Sequence, residues 1–71
     1  MKLQFQLAID AQQWLNYYQG NAQRVQCKAS NGQWIHLHCR YLRPFVTSAG
    51  IFGQFELTLD RSGQFQKLVQ L

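Results

Sequence analysis

Cys27, His36, His38 and Cys39 are the residues of this chain best suited to holding a soft metal, since four Cys and His donors make a tetrahedral zinc set. Strand parity argues against it. Alternate residues of a strand face opposite sides, so Cys27 and Cys39 share the side of Val25 and Leu37 while His36 and His38 share the other. A pairing that sets Cys39 opposite Gln23 also leaves it four strand positions from Cys27, about 13 Å, too far for a disulfide. No metal is expected, and both thiols are expected to be free and buried, which fits a reducing compartment.

The remaining chemistry is equally sparse. Acid–base catalysis needs paired carboxylates or a histidine with an orienting partner, and the chain has only Asp10, Glu56 and Asp60. Asp10 is placed to cap a helix, Asp60 to open a turn, and Glu56 stands alone in a strand. Ser30, Ser48 and Ser62 fall in turns, where serine bonds backbone, and none has a histidine with a carboxylate behind it. The glycines form no phosphate loop. Arg40 and Arg43 are wrongly spaced for a cyclic-dinucleotide site, and no Asp-x-Ser-x-x-Gly strand accompanies them. Neither an enzyme nor a cofactor is expected.

The elements that would position these residues can be read from periodicity. Residues 2–9 alternate strictly, placing Leu3, Phe5, Leu7 and Ile9 on one face of a strand. Asp10 and Gln13 make a capping box for a helix from Ala11, with Ile9 and Trp14 as a hydrophobic staple. Ala11, Trp14, Leu15 and Tyr18 form its apolar stripe, and Gly20 is expected to end it in the left-handed conformation. Residues 22–30 and 33–39 flank Asn31-Gly32, a hairpin signal. A two-residue loop would mix apolar and polar faces, whereas a Ser30-Asn31-Gly32 loop sets Val25 opposite Leu37 and Cys27 opposite Ile35. The same test makes Arg61-Ser62-Gly63 the loop between residues 51–59 and 64–71. It sets Leu59 opposite Phe65, Phe55 opposite Val69 and Gly53 opposite Leu71, with Lys67 as the one polar member of that face. Between the hairpins, residues 40–49 are expected to be irregular, with Pro44 holding Arg43 extended and Leu42 and Phe45 plugging one end of the core.

The fold class is therefore α+β, a single domain over residues 1–71. It has an N-terminal strand, one short amphipathic helix, and two hairpins joined by a Pro-containing corner in a mainly antiparallel arrangement. The pairing of the first strand stays open. A chain of 71 residues with 46% hydrophobic content has no apolar run near the roughly 18 residues of a membrane span, and residues 1–9 lack a signal peptide's apolar core. A cytoplasmic protein without a membrane partner is expected.

One surface remains on which a function could sit. The outer face of the 22–39 hairpin sets Arg24 opposite His38, Gln26 opposite His36 and Lys28 opposite Trp34, and Arg40 continues the row. With a net charge of +4, three readings of that face stand. It is an ordinary solvated face, or a surface for a protein partner or self-association, or a binder of RNA or single-stranded DNA through phosphate neutralisation and base stacking. A small non-enzymatic binding or accessory domain is expected; the alternatives are RNA or single-stranded DNA binding through that face and homodimerisation through a neutral, glutamine-rich strand edge.

The corner and second hairpin also carry a resemblance. Tyr41-Leu42-Arg43-Pro44-Phe45-Val46-Thr47, Gly50-Ile51, Gly53, Phe55 and the closing residues 65–71, together with Tyr17-Tyr18-Gln19-Gly20, resemble the short bacterial proteins called domain of unknown function 2835. The resemblance covers essentially the whole chain. It implies a bacterial, cytoplasmic, one-domain protein and brings no activity, cofactor or catalytic residue; the Cys and His residues lie outside its pattern.

Overall fold

The computed structural model describes residues 1–20 and 23–71. Strand β1 (Lys2–Asp10) leads directly into helix α1 (Ala11–Gln19), then come β2 (Arg24–Lys28), β3 (Trp34–His38), a one-turn helix α2 (Cys39–Leu42), a 3-10 turn (Arg43–Phe45), β4 (Gly50–Leu59) and β5 (Phe65–Gln70). The fold is α+β, with two antiparallel sheets ordered β1-β4-β5 and β2-β3. Ala22, at the start of the run expected to form the first hairpin, lies outside the described residues.

The pairing left open by sequence is β1 with β4, antiparallel over the full length of β1. The register matches apolar faces, setting Leu3 opposite Leu57, Phe5 opposite Phe55 and Ile9 opposite Ile51. Phe5 and Phe55 stack with centroids 5.8 Å apart, and Phe45 meets Phe55 edge-on at 5.2 Å. Val25 from β2, Ile35 and Leu37 from β3, and Cys39 and Leu42 from α2 complete the core. Each fully buried side chain of this size contributes about 1.5–3 kcal/mol. Leu42 and Phe45 thus plug the core as expected. Gly50 starts β4 with φ of +122°, where a Cβ would overlap the Ile9 carbonyl. Only glycine allows that approach.

The expected capping box is present, with the Gln13 amide donating to Asp10 Oδ1 at 2.8 Å and the Asp10 amide to Gln13 Oε1 at 3.2 Å. The expected packing face of α1 is not. Trp14 is the helix's buried residue, while Leu15 and Tyr18 are 44% and 39% exposed. Nine residues give two and a half turns, and only the first turn reaches the core. Tyr18 instead packs tilted against Trp14, centroids 5.8 Å apart, and takes the Arg43 guanidinium 5.6 Å from its ring. Gly20 is extended, with φ of −75° and ψ of 162°, so its expected left-handed stop is corrected. A Cβ at Gly20 would stand 2.7 Å from the Asn16 carbonyl oxygen, so close backbone approach accounts for this glycine.

Two further expectations are corrected in the second half of the chain. The corner expected to be irregular contains α2 and the 3-10 turn, and Arg43 is helical rather than extended, because Pro44 sits in the first turn of the 3-10 segment, where its missing amide costs nothing. In the second hairpin Leu59 faces Phe65 as expected, but a bulge between Thr58 and Leu59 shifts everything beyond it. Thr58 faces Lys67, Leu57 faces Leu68, Glu56 faces Val69 and Phe55 faces Gln70. The extra residue, Gln66, reverses side-chain parity. Half-buried Leu68 packs on the core while Lys67 is exposed. Leu71 donates to Gln54, not to Gly53, at 2.8 Å, and the Gln70 side chain fills the space over Gly53 and donates to the Phe52 carbonyl at 3.1 Å.

Candidate contact surface on the first hairpin

The loop between β2 and β3 is built as the side-chain phase requires. Gly32 has φ of +89°, its amide donates to the Ala29 carbonyl at 2.9 Å, and the Ala29 amide donates to the Gln33 carbonyl at 2.8 Å. This is a three-residue loop closed by a glycine bulge. The Asn31 carboxamide accepts the Gln33 amide at 3.0 Å, and the Ser30 amide donates to the Gln4 carbonyl at 2.8 Å, tying the loop to β1.

That loop fixes the register of the outer face. Arg24 stands opposite His38, Gln26 opposite His36 and Lys28 opposite Trp34, so five of the six proposed surface residues fall where parity places them. Arg24, Lys28 and His36 are exposed, Trp34 is 57% exposed, and the Lys28 ammonium lies 5.6 Å from the indole centroid. A cation held over an exposed indole gains roughly 0.5–1 kcal/mol. Among the described residues the one ion pair is Lys2 with Glu56, so these cations have no carboxylate partner there.

His38 keeps its place opposite Arg24 and takes a second role, while Arg40 leaves the row. His38 is half-buried, and its Nδ1 accepts the Arg40 amide at 3.1 Å, capping α2. Arg40 does not continue the strand, because the chain turns into α2 at Cys39. Its guanidinium lies 4.9 Å from the Tyr41 ring and donates to the Tyr41 hydroxyl at 2.9 Å. The turn of α2 thereby creates a feature that strand periodicity could not show. Tyr41 stacks on Phe65 of the second hairpin, centroids 3.9 Å apart, and the pair helps wall a cleft of about 200 Å³ between β3 and the β4–β5 hairpin.

Cys27 and Cys39 are free, Cys39 buried and Cys27 partly so. Burial pushes the Cys27 thiol from 9.0 up to about 11 and raises that of Cys39 also. Both are poor nucleophiles in this state, because the thiolate is the reactive form. At the second loop, one Asp60 oxygen accepts the Gln64 amide and the Ser62 hydroxyl and amide. These bonds, Gln64 first, hold its carboxyl below the usual range, so this carboxylate fastens a turn.

Two small antiparallel sheets enclosing one core, with a cation–aromatic row on the outer one, define a compact α+β domain with an open hairpin face. The chain belongs to the family described as protein of unknown function (DUF2835), whose model matches residues 1–71. No curated protein and no solved structure gives a significant match.

Proposed function

We propose that the chain is a small non-enzymatic binding domain whose contact surface is the outer face of the β2–β3 hairpin. The observation that carries this reading is Trp34, 57% exposed on a regular strand with Lys28 over its ring. Exposed tryptophans flanked by cations are typical anchors of interfaces, where desolvating a large ring supplies binding energy. A protein partner is the reading put first. Single-stranded nucleic acid is second, favoured by the same cation–aromatic pair, but Lys28 occupies one face of the indole on which a base would stack. Arg40, held on Tyr41, adds no charge to the row itself.

The test is photo-crosslinking in living cells, with a photoreactive amino acid in place of Gln26 on the hairpin face or of Gln12 on the exposed side of α1. The reading expects discrete adducts from position 26 and none from position 12. Protease sensitivity marks a protein partner, nuclease sensitivity a nucleic acid, and an adduct of twice the chain's mass a second copy. No adduct at position 26, or equal adducts at both, overturns it.

A further inference from the structure

The cleft beside Trp34 has an unusual wall: all five residues from 33 to 37 line it, both those facing the core and those facing outward. Consecutive residues of a strand point to opposite sides, so they can share one cleft only along the backbone edge. The ladder shows which edge. The Ala29 amide bonds the Gln33 carbonyl at one end of the hairpin and the Cys39 amide bonds the Gln23 carbonyl at the other. Antiparallel strands alternate hydrogen-bonded and non-bonded pairs, so Ile35 and Leu37 turn their amides and carbonyls toward β2. Trp34 and His36 turn theirs away, toward the cleft, where no described group takes them. Opposite that edge stand Leu57, Leu59, Phe65 and Tyr41.

Resting on the hairpin reading above, we propose that β3 binds an extended peptide segment of a partner protein as an added strand, with apolar side chains at alternate positions and carboxylates between them. The bonding is main-chain, between the peptide and the N–H and C=O groups of Trp34 and His36, and pockets for alternate side chains supply selectivity. Inward-pointing side chains of the added strand enter the cleft against Leu57, Leu59 and the Tyr41–Phe65 stack. Outward-pointing ones lie along the Trp34 side of the hairpin, whose charges are Lys28 and Arg24. Arg40 stands beside Tyr41 at the other end. Asp60, at the turn containing Gly63, directs one carboxylate oxygen into its turn bonds. Charge also selects the occupant. A second copy seated on this edge would bring a chain of net charge +4 against another of +4, whereas an acidic strand is attracted.

The experiment has two stages on the full chain. Short random-sequence peptides are selected against the immobilised protein, and enriched peptides are then added while amide hydrogen exchange is followed residue by residue. Free protein should show fast exchange at Trp34 and His36 and slow exchange at Ile35 and Leu37. Enriched peptides should alternate apolar and acidic residues, slow exchange at Trp34 and His36 by about tenfold or more, and lose binding when N-methylated on their edge-facing amides. Selection that enriches nothing, enriches sequences without acidic residues, or yields binders that leave those two amides unprotected overturns the added strand. An oligonucleotide that shifts Trp34 emission while both amides stay fast also overturns it. That result would leave the hairpin face itself standing, since crosslinking at position 26 reports on it separately.

Discussion

The two hairpins of this chain share one loop design and have opposite fates. Each ends in a three-residue loop with a glycine at positive φ, Gly32 at +89° and Gly63 at +87°. The β4–β5 hairpin is joined by β1 into a three-stranded sheet and holds Phe55 and Ile51, both 0% exposed. The β2–β3 hairpin remains two-stranded, puts only its inner face into the core, and leaves Trp34 and one strand edge in the open. One hairpin serves as framework while the other is available for contact.

Truncating the framework should have the largest effect. Phe55→Ala removes a ring packed on Phe5 and Phe45 and should cost about 3–5 kcal/mol, enough that chemical denaturation shows little folded protein. Next comes the bulge. Leu68→Ala should lower the urea midpoint by an amount worth roughly 1–2 kcal/mol, as befits a half-buried leucine, while Lys67→Ala should be near silent. Without the bulge the two positions would exchange faces, so the reverse order would refute the register.

The loops should be matched and smaller still. A Cβ at Gly32 or Gly63 meets nothing within 4 Å, so the penalty of Gly→Ala is purely conformational, about 1–2 kcal/mol, and asparagine should be tolerated better. Unequal losses in the two hairpins, by urea titration, would break the correspondence.

The first hairpin should carry an alkaline dependence from Cys27. Burial raises its folded pKa from 9.0 to about 11, so between those values the unfolded chain has released a proton that the folded chain keeps. Stability is therefore full below pH 9 and falls as the pH rises toward 11. Cys27→Ala should flatten that fall in thermal unfolding measured across the window, with Cys39 supplying what remains. An unchanged slope would place the titration elsewhere.

How far the sequence foretold this arrangement follows from where local rules suffice. Parity along β1, the Asp10–Gln13 box and the phase test for the first loop depend on neighbouring residues alone, and they led to the right helix cap and to the right register of the first hairpin. The second hairpin defeated the same test because a bulge has no local signature. Its trace was the misfit of Lys67 on an apolar face, which Gln66 relieves. Arg40 and Tyr41 were misread because a one-turn helix is too short for periodicity to register. The cleft was invisible because the Tyr41–Phe65 stack joins residues far apart in sequence. Leu15 and Tyr18 followed the helical rule, yet burial depends on how far the sheet extends beneath the helix.

The most direct test of the division between framework and contact hairpin is the smallest perturbation of stability. Trp34→Ala, at a residue 57% exposed, should lower unfolding free energy by no more than about 1 kcal/mol, the contact with Lys28 included. Placed in the chain that carries the photoreactive residue at position 26, it should reduce the adduct about tenfold or more, as expected for an anchor worth upwards of 1.4 kcal/mol. An undiminished adduct from a variant of unchanged stability would contradict the claim that this hairpin binds through Trp34.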